Sequence, residues 1–356
     1  MTMIQIIVTP GSGSGLALSS ARRVQQALRV RGYVARVQIF RDLGSLARWA
    51  GTCKRTFSHL VAVGGDSTFS AAAAAAVRLS LPFVPVPSGF GNLFASAFEH
   101  PRDPEAVVDL LQRGELLGLD VGVARSGLSL CHESYGPLTR IQHAVERGRR
   151  YPRQRYLRQL AYYRTAARWF ADGVLDTIHV EVDGRVVADE AALVTVANVE
   201  TYRGFLSLTP AASPVDGLLD VCVIPRMTTA RLFARLLRLM FRLPGRWEEV
   251  GLHRGRLVRV SVNGRSPEEI RILEGVLPTL VPPGSLERLE ARREAAEAEL
   301  SVLMAADAGL PGASLEALTA AAPSGPPEGG PRRSAPGRSR ARRRRSRPPV
   351  GFAAGD

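Results

Sequence analysis

The chain has 356 residues, 45% of them hydrophobic, which is enough for two domains with buried cores. No apolar stretch approaches the roughly 20 residues that cross a bilayer, and the start of the chain lacks a charged leader, so we expect a cytoplasmic protein. The three cysteines are far apart in sequence, which argues against a disulfide framework and against a zinc knuckle.

The net charge of +14 is unevenly distributed along the chain. Residues 321–356 contain nine arginines against Glu328 and Asp356, so this segment carries half of the net charge. Its Pro, Gly, Ser and Arg cannot bury a core, and we expect a disordered tail. Because the charge is concentrated there, a nucleic-acid-binding protein is the least favoured class, and we expect no specific nucleic-acid partner.

The first 119 residues alternate predicted strands and helices. Apolar runs predict strands at 4–8, 59–63 and 82–86, each followed by a glycine-containing loop and then by a helix, at 19–30, at 69–78 and from 93 onward. Three such transitions would lie along one edge of a parallel sheet. This is the edge at which a nucleotide would bind.

The second loop, Gly64-Gly65-Asp66, brings a carboxylate to the end of a buried strand. Glycines allow the backbone to approach a bound group closely, and the N–H groups at a helix start favour an anion such as phosphate. On its own the tripeptide fits an ordinary tight turn equally well. Lys54 is the only lysine, so a Walker-type phosphate loop is excluded.

From about residue 119 the pattern changes to strands rich in Val, Leu and Thr. Strands are predicted at 178–182, 191–198, 218–224, 256–262 and 270–273, and helices at about 137–172, 228–243 and 287–306. Asp183-Gly184 and Asn263-Gly264 are typical of tight hairpin turns. We expect an antiparallel β domain here.

These motifs, in this order, resemble those of the diacylglycerol kinase catalytic-domain family, which includes bacterial lipid kinases and sphingosine kinases. The family's Asn-Pro-x-Ser-Gly, Gly-Gly-Asp-Gly-Thr and Gly-Thr-x-Asn-Asp-Phe-Ala segments resemble residues 9–13, 64–68 and 88–95. Its Asn…Tyr-Gly-Gly-Gly and Pro-x-Ala…Asp-Gly-x-Leu-Asp signatures resemble residues 198–204 and 208–223. The resemblance covers about residues 3–290.

The resemblance implies a two-domain fold, α/β plus all-β. An N-terminal open α/β nucleotide-binding domain would span residues 1–119, and a C-terminal antiparallel β-sandwich domain with helical insertions would span 120–290. Residues 291–356 would form a terminal helix and the tail. ATP and Mg²⁺ are the implied cofactors, and a lipid hydroxyl is the implied phosphate acceptor. Nucleotide and acceptor would meet in the cleft between the domains.

The family's site residues transfer to matching positions. The implied nucleotide-binding residues are Ser12, Gly13, Gly64, Gly65, Ser67, Thr68, Gly89, Gly91 and Asn92. Asp66 and Glu274 are the implied catalytic residues, and Asp66 and Asp120 are the implied metal-linked carboxylates.

The chain departs from the family at acidic positions. Leu93 stands where the family has an acidic residue, and Val276 replaces the carboxylate of its Asp-Gly-Glu segment, where Glu274 stands for the aspartate. Phosphoryl transfer depends on positioning and on Mg²⁺ neutralising charge. Two alternatives to an active lipid kinase therefore stay open: a catalytically degenerate nucleotide- or lipid-binding module, and, less favoured, an NAD kinase.

Two basic amphipathic segments, 147–168 and 226–246, combine arginines with apolar residues at helical spacing. Such helices either lie on an anionic membrane surface or pack an apolar stripe into the core and expose their arginines to water. We expect peripheral membrane association, with a lipid substrate at the membrane surface and anionic lipid contacted by the basic helices and the tail. A homodimer stays open.

Overall fold

The computed structural model describes residues 3–9, 16–88, 92–137, 139–140, 175–200, 207–241, 243, 247 and 249–307. Of the predictions above, Ser12, Gly13, Gly89 and Gly91, most of the helix at 137–172 and the Arg-rich tail lie outside the described residues.

The N-terminal part alternates strands with helices. In chain order these are β1 (Met3–Val8), α1 (Ala17–Val30), β2 (Val34–Ile39), α2 (Leu43–Thr52), β3 (His59–Gly64), α3 (Asp66–Leu79), β4 (Phe83–Pro87), α4 (Leu93–Ala97) and α5 (Pro104–Arg113). The three predicted strand–loop–helix transitions are confirmed. Helix α3 begins at Asp66, three residues before its predicted start, so this carboxylate lies in the first turn of the helix.

The strands β2, β1, β3 and β4 pair in parallel in that spatial order. Strands β1, β3 and β4 are almost wholly apolar and buried, because helices cover both faces of the sheet. Helices α1 and α5 pack on one face, and α2, α3 and α4 pack on the other. The carboxyl ends of the parallel strands therefore share one edge.

The C-terminal part is mainly antiparallel sheet. Its elements are β5 (Glu115–Ala124), β6 (Gly127–Ser129), β7 (His132–Tyr135), β8 (Ile178–Val182), β9 (Arg185–Ala197), β10 (Leu219–Pro225), α6 (Thr229–Met240), β11 (Gly251–Gly255), β12 (Leu257–Val262), β13 (Glu268–Val281) and α7 (Ser285–Asp307). The two predicted hairpin turns are confirmed, since Asp183, Gly184, Asn263 and Gly264 all have positive φ.

Strand β13 joins the two parts. It pairs antiparallel with β12 and β5, and Thr279 pairs in parallel with Phe83 of β4. The predicted strand ended at Leu273, but a register shift between Leu273 and Leu277 lets the strand continue to Val281. The predicted fold class, an α/β part followed by an antiparallel β part, is confirmed, and the expected domain boundary at residue 119 falls inside β5.

Helix α7 contacts both parts of the fold. Arg292 donates a 3.0 Å hydrogen bond to Glu99, just after α4, while Arg293 lies 3.1 Å from an oxygen of Asp216 in the C-terminal part. Further along, Leu303 packs in the apolar cluster beneath α6. Within the described residues, no helix is both long and apolar enough to span a membrane.

Candidate active site

Asp66 is held by the backbone of the next strand–helix junction. Its Oδ2 accepts a hydrogen bond from the Leu93 amide at 3.0 Å, and its Oδ1 accepts one from the Phe94 amide at 3.1 Å. These amides open α4, which follows Asn92 in a left-handed conformation at φ 51°. The carboxylate is thus fixed at the carboxyl edge of the sheet, between the ends of β3 and β4.

Burial raises the pKa of Asp66, and hydrogen bonds from Leu93, Phe94 and the Cys131 thiol only partly oppose this shift. Cys131 is itself buried, which holds its pKa well above the usual value and keeps the thiol protonated as a donor. Sequence reasoning missed Cys131, because it lies 65 residues from Asp66 and belongs to no matched motif.

Gly64 and Thr68 form a tight packing pair at the start of α3. Thr68 is fully buried, and its Oγ1 lies 2.6 Å from the Oγ1 of Thr9, the last described residue before the first glycine loop. A Cβ on Gly64 would lie 2.5 Å from the Cβ of Thr68. Gly65 is partly buried at the helix N-cap, and Ser67 is exposed. The structure thus brings four of the implied nucleotide-binding residues to one turn.

Gly64→Ala is expected to lower the free energy of unfolding by about 1–3 kcal/mol, because Thr68 must move and lose its contact with Thr9. Urea unfolding measures this difference. The matched control is Gly51→Ala in α2, where an added Cβ meets nothing within 4 Å, and there we expect no loss of stability. Equal stability of Gly64→Ala and the wild type would contradict the packing assignment.

Asp120 is a buried hydrogen-bond acceptor for two glycine loops. Its Oδ2 accepts from the Gly217 amide and its Oδ1 from the Gly275 amide, both at 2.7 Å. Both glycines have positive φ, at 70° and 62°, which other residues rarely adopt. Asp120 therefore ties β5 to the turn after Asp216 and to the irregular segment of β13.

Glu274 is half-exposed and forms an ion pair with Arg256. No hydrogen bond or ion pair in the described part of the chain joins Glu274 to Asp66, and the catalytic role of Glu274 stays a prediction. Leu93 and Val276, which stand at acidic positions of the family, both pack against the apolar cluster of the N-terminal part. At both positions an apolar side chain that packs against this cluster therefore replaces the acidic side chain of the family.

The described residues contain no group of three or more His, Cys, Asp or Glu side chains that could hold a metal ion. Each oxygen of Asp66 and Asp120 accepts a backbone hydrogen bond, and Asp66 also accepts one from the Cys131 thiol. That Asp66 and Asp120 are the metal-linked carboxylates stays a prediction.

A second acidic cluster lies in the Asp216–Asp220 segment. Asp220 Oδ1 accepts a 2.9 Å hydrogen bond from Arg254, which also binds Glu297 of α7 at 2.8 Å. Asp220 Oδ2 is buried without a hydrogen-bond partner among the described residues. Burial raises the pKa of Asp220 to about 6, an effect that Arg254 opposes and Asp216 reinforces.

This raised pKa has a defined effect on stability. Between the ordinary value of 3.8 and about 6, the folded chain keeps a proton on Asp220 that the unfolded chain has lost, so stability falls as pH rises through this range. Asp220→Asn should flatten the pH dependence by on the order of 3 kcal/mol. Urea unfolding of both proteins across about pH 4 to pH 7 tests this, since other titrating groups cancel in the difference; identical slopes would contradict it.

An open recess adjoins the start of α4. Six apolar and three charged residues line it, namely Leu93, Ala97, Glu200, Pro210, Ala212, Pro214, Leu289, Arg292 and Arg293. Leu93 connects this cavity to the fixed carboxylate, because its amide binds Asp66 while its side chain lines the wall. The site thus combines an oriented carboxylate with a recess lined by both apolar and charged side chains.

The arrangement defines a two-part α/β and β protein with glycine loops at one sheet edge. Residues 3–124 match the model of the diacylglycerol kinase catalytic domain, and residues 136–272 match that of the YegS C-terminal NAD kinase beta sandwich-like domain. Over these two ranges the chain is similar to the diacylglycerol kinase catalytic-domain family.

Curated relatives agree with this assignment. A diacylglycerol kinase of Bacillus subtilis is 25% identical over 236 residues, which are 65% of this chain and 76% of that protein. The Pseudomonas putida protein named probable lipid kinase YegS-like is 28% identical over 213 residues, or 56% of this chain and 66% of its own length. A crystal structure of a Bacillus anthracis diacylglycerol kinase has the same fold, with a TM-score of 0.60 and 18% identity over 80% of this chain and 98% of that one.

Proposed function

We propose that the chain is an ATP-dependent lipid kinase that transfers the γ-phosphate of ATP to a lipid hydroxyl of diacylglycerol or sphingoid type. The observation that carries this proposal is the carboxylate of Asp66, fixed by the Leu93 and Phe94 amides next to a recess lined by apolar and charged side chains. Similarity to a lipid kinase family supports the reaction class.

In this proposal the nucleotide phosphates bind at the glycine loops that follow β1, β3 and β4. Gly64, Gly65, Ser67 and Thr68 lie at the amino end of α3, where backbone N–H groups attract an anion. Ser12, Gly13, Gly89, Gly91 and Asn92 are assigned to the same role from the family's motifs. Mg²⁺ would arrive with ATP, since it is ordinarily bound by substrate phosphates and one or two carboxylates.

Asp66 is assigned the role of proton acceptor for the lipid hydroxyl. Its raised pKa makes it a stronger base than an ordinary aspartate, and two amide hydrogen bonds fix its orientation. The cavity beside Leu93 would receive an apolar part of the acceptor. We further propose that the protein is cytoplasmic and associates peripherally with the membrane that holds this lipid.

A second candidate is a nucleotide- or lipid-binding module without catalysis. The apolar packing of Leu93 and Val276 favours it, because both occupy acidic positions of the family. NAD kinases share the Gly-Gly-Asp-Gly segment of the diacylglycerol kinase family. For this chain, the NAD kinase alternative is supported only by the beta sandwich-like match of residues 136–272.

The test is transfer of labelled γ-phosphate to a panel of acceptors: diacylglycerol, monoacylglycerol, sphingoid base, ceramide and NAD. We expect a phosphorylated lipid and no labelled NADP. Labelled NADP would support the NAD kinase reading. Binding of ATP by calorimetry without transfer to any acceptor would support the non-catalytic module.

A further inference from the structure

Helix α6 packs on the C-terminal sheet through one apolar side. Leu232, Leu236 and Leu239 are buried in a cluster with residues of β9, β10 and α7. Arg235, which the sequence pattern placed among exposed arginines, is also buried and lies 3.3 Å from Glu249. The inward side of α6 is therefore buried against the rest of the C-terminal part.

The outward side of α6 is also apolar. Phe233 and Phe241 are 40% and 65% exposed, and Leu243 just beyond the helix is 46% exposed. Leu237 is partly exposed between the two phenylalanines, at positions i, i+4 and i+8 of one helical line. Among the described residues, these are the only two phenylalanines with so much exposure.

Arginines flank this apolar line. Residues 226–246 contain six arginines and no acidic residue. Arg238 is exposed on α6 next to Leu237, and Arg231 is also exposed but forms an ion pair with Glu249 at 3.3 Å. A helix surface with aromatic residues beside arginines suits the boundary between lipid headgroups and acyl chains, where aromatic rings enter the apolar layer and arginines meet anionic headgroups.

We propose that the outward face of α6, formed by Phe233, Leu237, Arg238 and Phe241 and extended by Leu243, docks the chain on an anionic lipid membrane. The proposal rests on the proposed function for its purpose, because a lipid kinase must reach an acceptor held in a bilayer. A second copy of this chain is disfavoured as the occupant, since a two-fold contact would oppose the same arginines on both copies.

Helix α7 links the cavity to the cluster beneath α6. Arg293 lines the cavity, and Leu303, ten positions further along the helix, packs in that cluster. A helical rise of about 15 Å separates these two positions.

The test uses the full chain and co-sedimentation with vesicles, without nucleotide. One vesicle type contains phosphatidylglycerol and phosphatidylcholine, and the other contains phosphatidylcholine alone. Phe233→Gln with Phe241→Gln is compared with a matched control, Leu116→Gln with Val186→Gln, which removes two apolar side chains that are 56% and 53% exposed elsewhere. Circular dichroism confirms that both double variants remain folded.

We expect the wild type to bind the anionic vesicles, and the α6 variant to lose at least about tenfold in partition coefficient while the control keeps wild-type binding. High salt should leave part of the wild-type binding, because the apolar contribution is not screened. Three results would overturn the proposal: no vesicle binding by the wild type, unchanged binding by the α6 variant, or a change from dimer to monomer in that variant by analytical ultracentrifugation.

Phosphorylation of a short-chain diacylglycerol in solution separates this proposal from the proposed function. The α6 variant should phosphorylate this water-soluble acceptor as fast as the wild type and should be slow only on acceptor in vesicles. Vesicle binding that depends on Phe233 and Phe241, in a chain that phosphorylates neither form of acceptor, would support the docking face and refute the kinase.

Discussion

Asp120→Ala is expected to lower the free energy of unfolding by about 3–5 kcal/mol, because it leaves two backbone amides without their charged acceptor. The carboxylate accepts hydrogen bonds from the Gly217 and Gly275 amides at 2.7 Å, and Asp120 is buried, with 3% relative exposure. Both glycine loops should loosen, and β13 should lose part of its pairing with β5 across the irregular segment. Urea unfolding followed by circular dichroism measures the loss.

A matched control for this variant is Asp109→Ala. Asp109 is 54% exposed and lies 3.8 Å from Arg31, so its removal should cost less than about 1 kcal/mol. If Asp120 acted through a metal ion instead of through its amide bonds, Asp120→Ala would be as stable as the wild type in the presence of a chelator. That result would contradict the structural role assigned here.

Asp66→Asn is expected to lower turnover by about 10² to 10⁴-fold, because an amide cannot accept the proton of the lipid hydroxyl. One amide hydrogen bond to Leu93 or Phe94 is also lost, since the Asn NH₂ group cannot accept it. ATP affinity should change little, because the glycine loops are unchanged. Steady-state rates and calorimetric titration measure the two effects separately.

Ser70→Ala is the control for Asp66→Asn, since Ser70 lies one turn further along α3 and belongs to none of the proposed binding or catalytic residues. The pH profile supplies a second check. The acid limb of the wild-type turnover rate should lie above the ordinary aspartate pKa of 3.8, because burial raises the pKa of Asp66. Loss of turnover in Ser70→Ala equal to that in Asp66→Asn would contradict the assignment to the carboxylate.

Local signals in the sequence account for what could be predicted. The strand-end glycines located the turn at Asp66, and the hairpins at Asp183-Gly184 and Asn263-Gly264 follow from residues that tolerate positive φ. Helices α2 and α5 also carried local signals that sequence analysis did not use, namely capping by Asp42 and Asp103 and a proline at the start of α5.

Contacts between distant residues account for most of what was missed. The continuation of β13 beyond Leu273 depends on Asp120, which binds Gly275 across 155 positions of sequence. The thiol of Cys131 reaches Asp66 only through the fold. Similarly, the periodic arginines of residues 226–246 predict an amphipathic helix, but only packing against Glu249 shows that Arg235 faces inward.

The most direct test of the central proposal is the stoichiometry of the reaction. The full chain is incubated with γ-labelled ATP, Mg²⁺ and vesicles containing diacylglycerol, and both ADP and labelled lipid are quantified. The proposal predicts equal amounts of ADP and phosphorylated lipid from the wild type, with both greatly reduced in Asp66→Asn. ADP formed with free phosphate and no labelled lipid, or labelled lipid formed equally by Asp66→Asn, would contradict it.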